Sequence, residues 1–259
     1  MNQLPQPQPF PVLAIISEAA RLHWRHILIV FAAAALYAPP LMTIFTPIAA
    51  EVAKLPPDAT PEQVAPMMGK MALGAVMFLF LSASLFAFWV RVTLMGPRAA
   101  LSDDALGWPF RIVRTAGLFV LAGLGTMAGL LPISLLVSVF GTGTGIAQTL
   151  LILSVTFVMS FFFALLSRWL TETALDIPRD KDRPRPKIAM DAHLRLAALF
   201  TSVTFALMMV EILIGQILTG IDAPISAQIV TAIYLAVSIT AFASIHAIVY
   251  RLRTVPQQG

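Results

Sequence analysis

The chain contains no cysteine, which removes disulfides, thiol nucleophiles, iron–sulfur clusters and thiolate metal sites from consideration. Charge is nearly as scarce. Asp, Glu, Lys and Arg make up 12% of 259 residues, about half the roughly 25% of an ordinary soluble domain. The usual signatures of soluble chemistry are missing too: no Walker-type phosphate loop, no GxGxxG opening a helix, no GxSxG elbow, no HExxH. His23, His26, His193 and His246 are scattered without ligand spacing, so neither metal nor cofactor is implied. Residues 1–10 show no basic segment leading into an apolar core, and a cleavable signal peptide is not expected.

What remains is apolar. Hydrophobic residues account for 58% of the chain, and the mean hydropathy is +0.85. A helix crossing the roughly 30 Å hydrocarbon layer needs about 20 such residues. Residues 27–50 and 71–90 are free of charge. So is 115–167, too long for one crossing, and the Gly-Thr-Gly-Thr-Gly run at 141–145 supplies the break. Residues 196–220 contain one charge, Glu211, and 223–250 contain only His246 as a group that titrates near neutrality. The pattern predicts an all-α chain of six transmembrane helices, at 27–50, 71–90, 115–140, 146–167, 196–220 and 223–250. Runs this continuously apolar are not the alternating strands of a barrel. Residues 1–26 form a cytoplasmic start and 251–259 a cytoplasmic tail.

The net charge of +4 could suggest a nucleic-acid partner, but its placement argues for topology instead. Only Lys54 and Lys70, of 17 Lys and Arg, fall on the side opposite the termini. By the positive-inside rule both termini face the cytoplasm, and nucleic acid is not an expected partner. On the outer side, Thr60-Pro61-Glu62-Gln63 reads as a helix start that runs into the second span.

The spans also read as three hairpins of similar plan. Each begins with a lead-in (11–26, 100–114, 188–195) that mixes arginine with apolar residues. Each returns to an arginine: Arg91 after Trp89, Arg168 before Trp169, and Arg251 after Tyr250. Arg91, Arg168, Arg251, Trp89 and Trp169 are expected to anchor helix ends at the inner interface. The first two lead-ins are expected to lie as interfacial helices, with Trp24 and Trp108 at headgroup level. The Pro-rich, mixed-charge loop at 177–187 is read as a solvated linker, with anionic lipid headgroups or another membrane protein as the functional alternative.

Glu211 is the sharpest candidate for function, because an ionisable group within a span is costly and normally faces the bundle or a wet path. Thr201, Thr204, Met208 and Gly215 share its helical face, and Tyr234 lies at similar depth in the last span. A Glu211–Tyr234 hydrogen bond, or a protonated Glu211, is therefore expected. Tyr37, beside Pro39 and Pro40, could complete an intramembrane polar site. Pro39, Pro40 and Pro132 are expected to kink their helices. Gly125, Gly129 and Gly215 are expected to permit close helix approach.

Arg168-Trp169 closing a span, followed by the basic lead-in 190–195, resembles a pattern found in the uncharacterised six-span inner-membrane proteins of bacteria. The hydropathy plan is also distantly similar to the membrane domain associated with glycerophosphodiester phosphodiesterases. That likeness implies an inner-membrane location and carries no hydrolase activity, since no hydrolase domain is present. Three functions fit the residues: a non-catalytic scaffold or accessory membrane component, a small permease or transporter subunit using Glu211, and a membrane-embedded lipid enzyme.

Overall fold

The structure, a computed structural model, describes residues 11–45, 47–48, 51, 60–102, 107–140, 145–177, 190–219 and 224–254. Its elements are α1 (Val12–Arg25), α2 (Ile27–Pro40) continued by a π-turn (Leu41–Phe45), α3 (Pro61–Met95), α4 (Pro97–Leu101), α5 (Trp108–Phe140), α6 (Gly145–Ala174), α7 (Met190–Thr219) and α8 (Pro224–Thr254). No strand occurs among the described residues. Six helices are long and apolar enough to cross a bilayer: α2 with its π extension, α3, α5, α6, α7 and α8. Their outer surface is apolar, with Leu28 80%, Leu73 61% and Ile217 60% exposed. In water such a surface would cost about 25 cal/mol per Å², and lipid covers it without that cost. The protein is a multi-pass membrane protein.

Local signals explain most helix ends. α3 begins at Pro61, where the fixed φ of proline suits a first turn and its missing N–H is not needed. It ends at Gly96, whose φ of 86° and ψ of 161° lie in a region essentially confined to glycine. α2 changes character just past Pro39 and Pro40, giving way to the π-turn. There the hydroxyl of Thr43 donates to the Pro39 carbonyl at 2.8 Å. α5, by contrast, runs through Pro132 without interruption. The 141–144 and 220–223 connections and the 178–189 loop lie outside the described residues.

The second lead-in differs from expectation. α1 is a separate helix, broken from α2 at His26, and the short α4 holds Ala100 and Leu101 of the second lead-in. Residues 108–114 belong to α5 and 190–195 to α7, so the expected second interfacial helix is the first turns of a span. Pro109 stands in the opening turn of α5, where it cannot interrupt the helix, and no breaker follows before Thr115. On α1, Ile15 and Ala19 are buried against Phe200, Ile245 and Ile248, while Val12 and Ile16 of the expected apolar face are exposed.

The packing does not follow three self-contained hairpins. α5 and α6 pack closely, but α2 packs more extensively on α8 than on α3, its sequence neighbour. α8 touches α1, α2, α3, α6 and α7. Its span window is 56% buried, against 17–28% for the other five. The cause lies in its sequence. Ala232, Ala236, Thr240, Ala243, Ser244 and Ala247 are all buried, and small side chains three and four residues apart let neighbouring backbones close in.

At the α5–α6 contact the glycines of α5 do similar work. A Cβ on Gly125 would lie 2.4 Å from the Phe162 ring, and one on Gly129 would lie 2.8 Å from Val158. A Cβ on Gly215 of α7 would meet nothing within 4 Å. Close packing therefore belongs to Gly125 and Gly129, and the expectation for Gly215 is corrected, since no neighbouring helix reaches it. Gly125→Ala is expected to lower stability by about 1–3 kcal/mol through overpacking, while Gly215→Ala leaves it unchanged or slightly raised. Thermal unfolding of both variants in the same detergent checks the difference.

Candidate functional site

The polar side chains buried in the bundle gather towards one end, around the last turns of α8. The Trp89 indole donates to Ser244 Oγ at 2.7 Å. His246 Nδ1 meets Ser167 Oγ at 2.6 Å, and its ring lies against Phe86 and Phe200. His23 of α1 meets Thr240 Oγ1 through Nε2 at 2.8 Å and the Ala19 carbonyl through Nδ1 at 2.7 Å. Because a carbonyl only accepts, the Nδ1 proton points at Ala19, while the one proton of the Thr240 hydroxyl lies within reach of both Nε2 and the Ala236 carbonyl, the latter at 2.7 Å. Burial holds the His23 pKa below its ordinary value of 6.5, although the bond to Ala19 pulls the other way. Apart from the His23–Ala19 bond within α1, each contact joins two helices, so α8 is tied to α1, α3 and α6 by hydrogen bonds as well as by small-residue packing.

The same end collects the arginines. Arg91 is 2% exposed, reaches the Ala174 carbonyl at 3.4 Å and lies 6.0 Å from the Trp108 ring centroid. Arg111 lies on the same indole at 5.9 Å and stands 3.6 Å from Asp176. Arg114 is also 3.6 Å from Asp176. Ala174 and Asp176 mark the end of α6, where unpaired carbonyls and the helix dipole make a negative site. The chain turns there in a Schellman arrangement: the Ile177 N–H donates to Glu172 O and the Asp176 N–H to Thr173 O. Asp176 itself takes φ 57°, the left-handed position that glycine usually fills.

These positions correct part of the anchor reading. Arg91 and Trp89 are enclosed by protein and do not reach outward to phosphates, because α3 is surrounded by α5, α6 and α8 at this level. Arg168 forms an ion pair with Glu172 one turn on. Arg251 binds Glu18 of α1. Trp169 is 37% exposed. It lines a cavity of about 780 Å³ with Arg114, Gly117, Leu118, Glu172 and Asp176.

Elsewhere the structure separates the residues of the candidate intramembrane site. Glu211 is half-buried on α7 and accepts from Thr231 at 3.5 Å. Thr231 lies three residues before Tyr234, and the hydrogen bond expected from Tyr234 comes from it instead. Tyr37 is buried on another side of the bundle, where its hydroxyl donates to Ser82 at 3.3 Å and its ring lies against Phe78. Phe78 and Ser82 line an open apolar cleft of about 530 Å³ with Leu41 of the π-turn. Glu211 lines neither that cleft nor the 780 Å³ cavity.

Comparison of the chain with known protein families, characterised proteins and solved structures finds no match. The site therefore rests on its own geometry. Sequence reasoning passed over His246, Ser167, Thr240 and Asp176. Thr240 and His246 lie on α8 and Ser167 bonds to His246, so the small-residue stripe of α8 is the signal that could have found these three.

A double-mutant cycle on Trp89→Phe and Ser244→Ala is expected to give a coupling of about 0.5–1.5 kcal/mol, read from unfolding in detergent. Docking of α1 is expected to weaken with acid. Above pH 6.5 His23 is neutral whether α1 is docked or free. Below it, the free helix takes up a proton that the buried ring resists, so docking weakens as pH falls from there. Hydrogen exchange of the α1 amides between pH 7.5 and pH 5 on the order of hours reads the change, and His23→Gln should flatten the profile.

Proposed function

We propose that the protein is a non-catalytic scaffold or accessory component of a bacterial inner membrane, with both termini in the cytoplasm. The observation that carries this reading is the use of its buried polar groups. At the arginine-bearing end, Trp89, His23, His246 and Arg91 each bond across to a neighbouring helix. They hold the bundle together, and none of them lines the 780 Å³ cavity or the 530 Å³ cleft. The result is a stiff joint with a broad apolar flank, suited to bearing against another membrane protein.

The orientation rests on the arginines. Contacts such as Glu18 with Arg251, Arg91 with Ala174 and Arg111 with Asp176 bring residues at the start and end of the spans together at one end. Lys70 pairs with Glu51 on a different part of the chain. Retention of basic residues on the cytoplasmic side then directs the arginine-bearing end inward.

A small permease is the second reading, favoured by one observation. Glu211 is only half-buried within its span, and a carboxyl there needs a protein or water partner besides Thr231.

Reporter tags fused separately to the two termini are expected to report the same, cytoplasmic face. A photocrosslinker at Leu213, on the exposed flank of α7, is expected to trap one discrete membrane-protein adduct in native membranes. Opposite faces for the tags would overturn the topology. Absence of an adduct, together with solute uptake that Glu211→Gln abolishes, would replace the scaffold by the permease.

A further inference from the structure

The 780 Å³ cavity opens where two spans reach the end of the bundle, and its lining divides by depth. Arg114 of α5, with Glu172 and Asp176 at the end of α6, forms the rim. Leu118 lies four residues further into α5, and Trp169 seven residues back along α6 from Asp176. At 1.5 Å per residue these apolar side chains stand about 6 and 10 Å closer to the bilayer centre. A Cβ on Gly117 would meet nothing within 4 Å, so the α5 wall is open between rim and floor. Thr173 and Ile177 complete the lining, so the rim carries the charged groups with apolar side chains beside and below them, a lining that suits an amphiphile.

The charges around the rim are unequal. Arg111 and Arg114 face Asp176, and Arg168 faces Glu172. Among the described residues, three guanidiniums thus meet two carboxylates. Arg114 is 67% exposed and its ion pair with Asp176 spans 3.6 Å, beyond the roughly 2.7–3.2 Å of a hydrogen bond. An incoming phosphate can take the donors of Arg114 without breaking a bond. Asp176, half-exposed, occupies a left-handed position that costs an aspartate strain and a glycine none. Its carboxylate is held at the rim by that conformation, where it can accept from a ligand's donor.

We propose that this cavity holds the headgroup of one glycerophospholipid from the adjoining leaflet. The phosphodiester sits at the exposed guanidinium of Arg114. The headgroup ammonium or hydroxyl donates to Asp176, and the glycerol and first methylenes lie against Leu118, Gly117 and Trp169. The volume falls within the roughly 300–1,000 Å³ of small-molecule sites. The site rests on the membrane reading of the six spans and is independent of the accessory role.

Native mass spectrometry of the full chain, released from detergent and titrated with phosphatidylethanolamine or phosphatidylglycerol, tests the proposal. The expected result is one saturable lipid adduct per chain. Arg114→Gln and Asp176→Gly should each reduce its occupancy at least fivefold. Glycine keeps the left-handed turn, so Asp176→Gly removes the carboxylate without disturbing the backbone, and unchanged melting shows that both variants fold. Arg98→Gln, on the exposed face of α4, should load like the wild type. In nanodiscs, phospholipid brominated near the top of its chains should quench a fluorescence component that Trp169→Phe removes. Equal loading of wild type and Arg114→Gln would overturn the site. So would equal occupancy by inorganic phosphate alone, which would mark an anion site indifferent to lipid. Failure of the membrane reading shows separately, as terminal tags on opposite faces.

Discussion

Close approach of helices along α8 is the constraint on which the rest of the structure depends. In lipid the hydrophobic effect does not press one apolar helix onto another, so association relies on packing contact and interhelical hydrogen bonds. The buried stripe Ala232, Ala236, Thr240, Ala243, Ser244, Ala247 supplies both. Its small side chains let α2 and α3 approach, and its hydroxyls meet Trp89 and His23 at hydrogen-bond distance. A larger residue at any of these positions would push a neighbour out and leave a polar partner unpaired. Helices distant in sequence, α1 and α2 at one extreme and α8 at the other, are neighbours for this reason.

The arginine-bearing end follows a second rule: charge enters a bundle only where a compensating charge or dipole awaits it. The end of α6 provides one. Its last carbonyls and Asp176 draw in Arg91, Arg111 and Arg114, two of which rest on Trp108 as well. Ion pairs to a half-exposed carboxylate such as Asp176 add little net stability, because water screens the attraction. Their effect is to specify which helix ends meet. The proposed headgroup site is continuous with this cluster, at the point where one guanidinium remains exposed to the membrane face.

Glu211 behaves differently from the polar groups at that end. It lies on the least buried span, bonded to Thr231 at the long limit of a hydrogen bond and away from Tyr37. Its neighbours on the same face of α7 are Met208 and Gly215, which offer it no hydrogen bond, while Leu213 and Ile217 expose the far face. A carboxyl in that setting gains most from a partner outside the chain. The accessory and permease readings name different partners for it, a neighbouring helix in one and water or solute in the other.

The number of spans, their order and the helix start at Pro61 were legible in the sequence, because each depends on local facts: a run long enough to cross, glycines that break it, a proline placed at a first turn. The asymmetry of arginine and lysine along the chain was legible for the same reason. The sequence could not show which faces of the six helices meet. Every face in an apolar span is apolar, so hydropathy carries no inward direction, and Trp89–Arg91 read as an outward anchor when it is in fact enclosed. Tertiary packing alone decided that Gly125 and Gly129 are pressed against α6 while Gly215 is open. It also decided that Thr231 rather than Tyr234 reaches Glu211, and that α8 lies at the centre, because in lipid those choices depend on shape and pairing between distant segments.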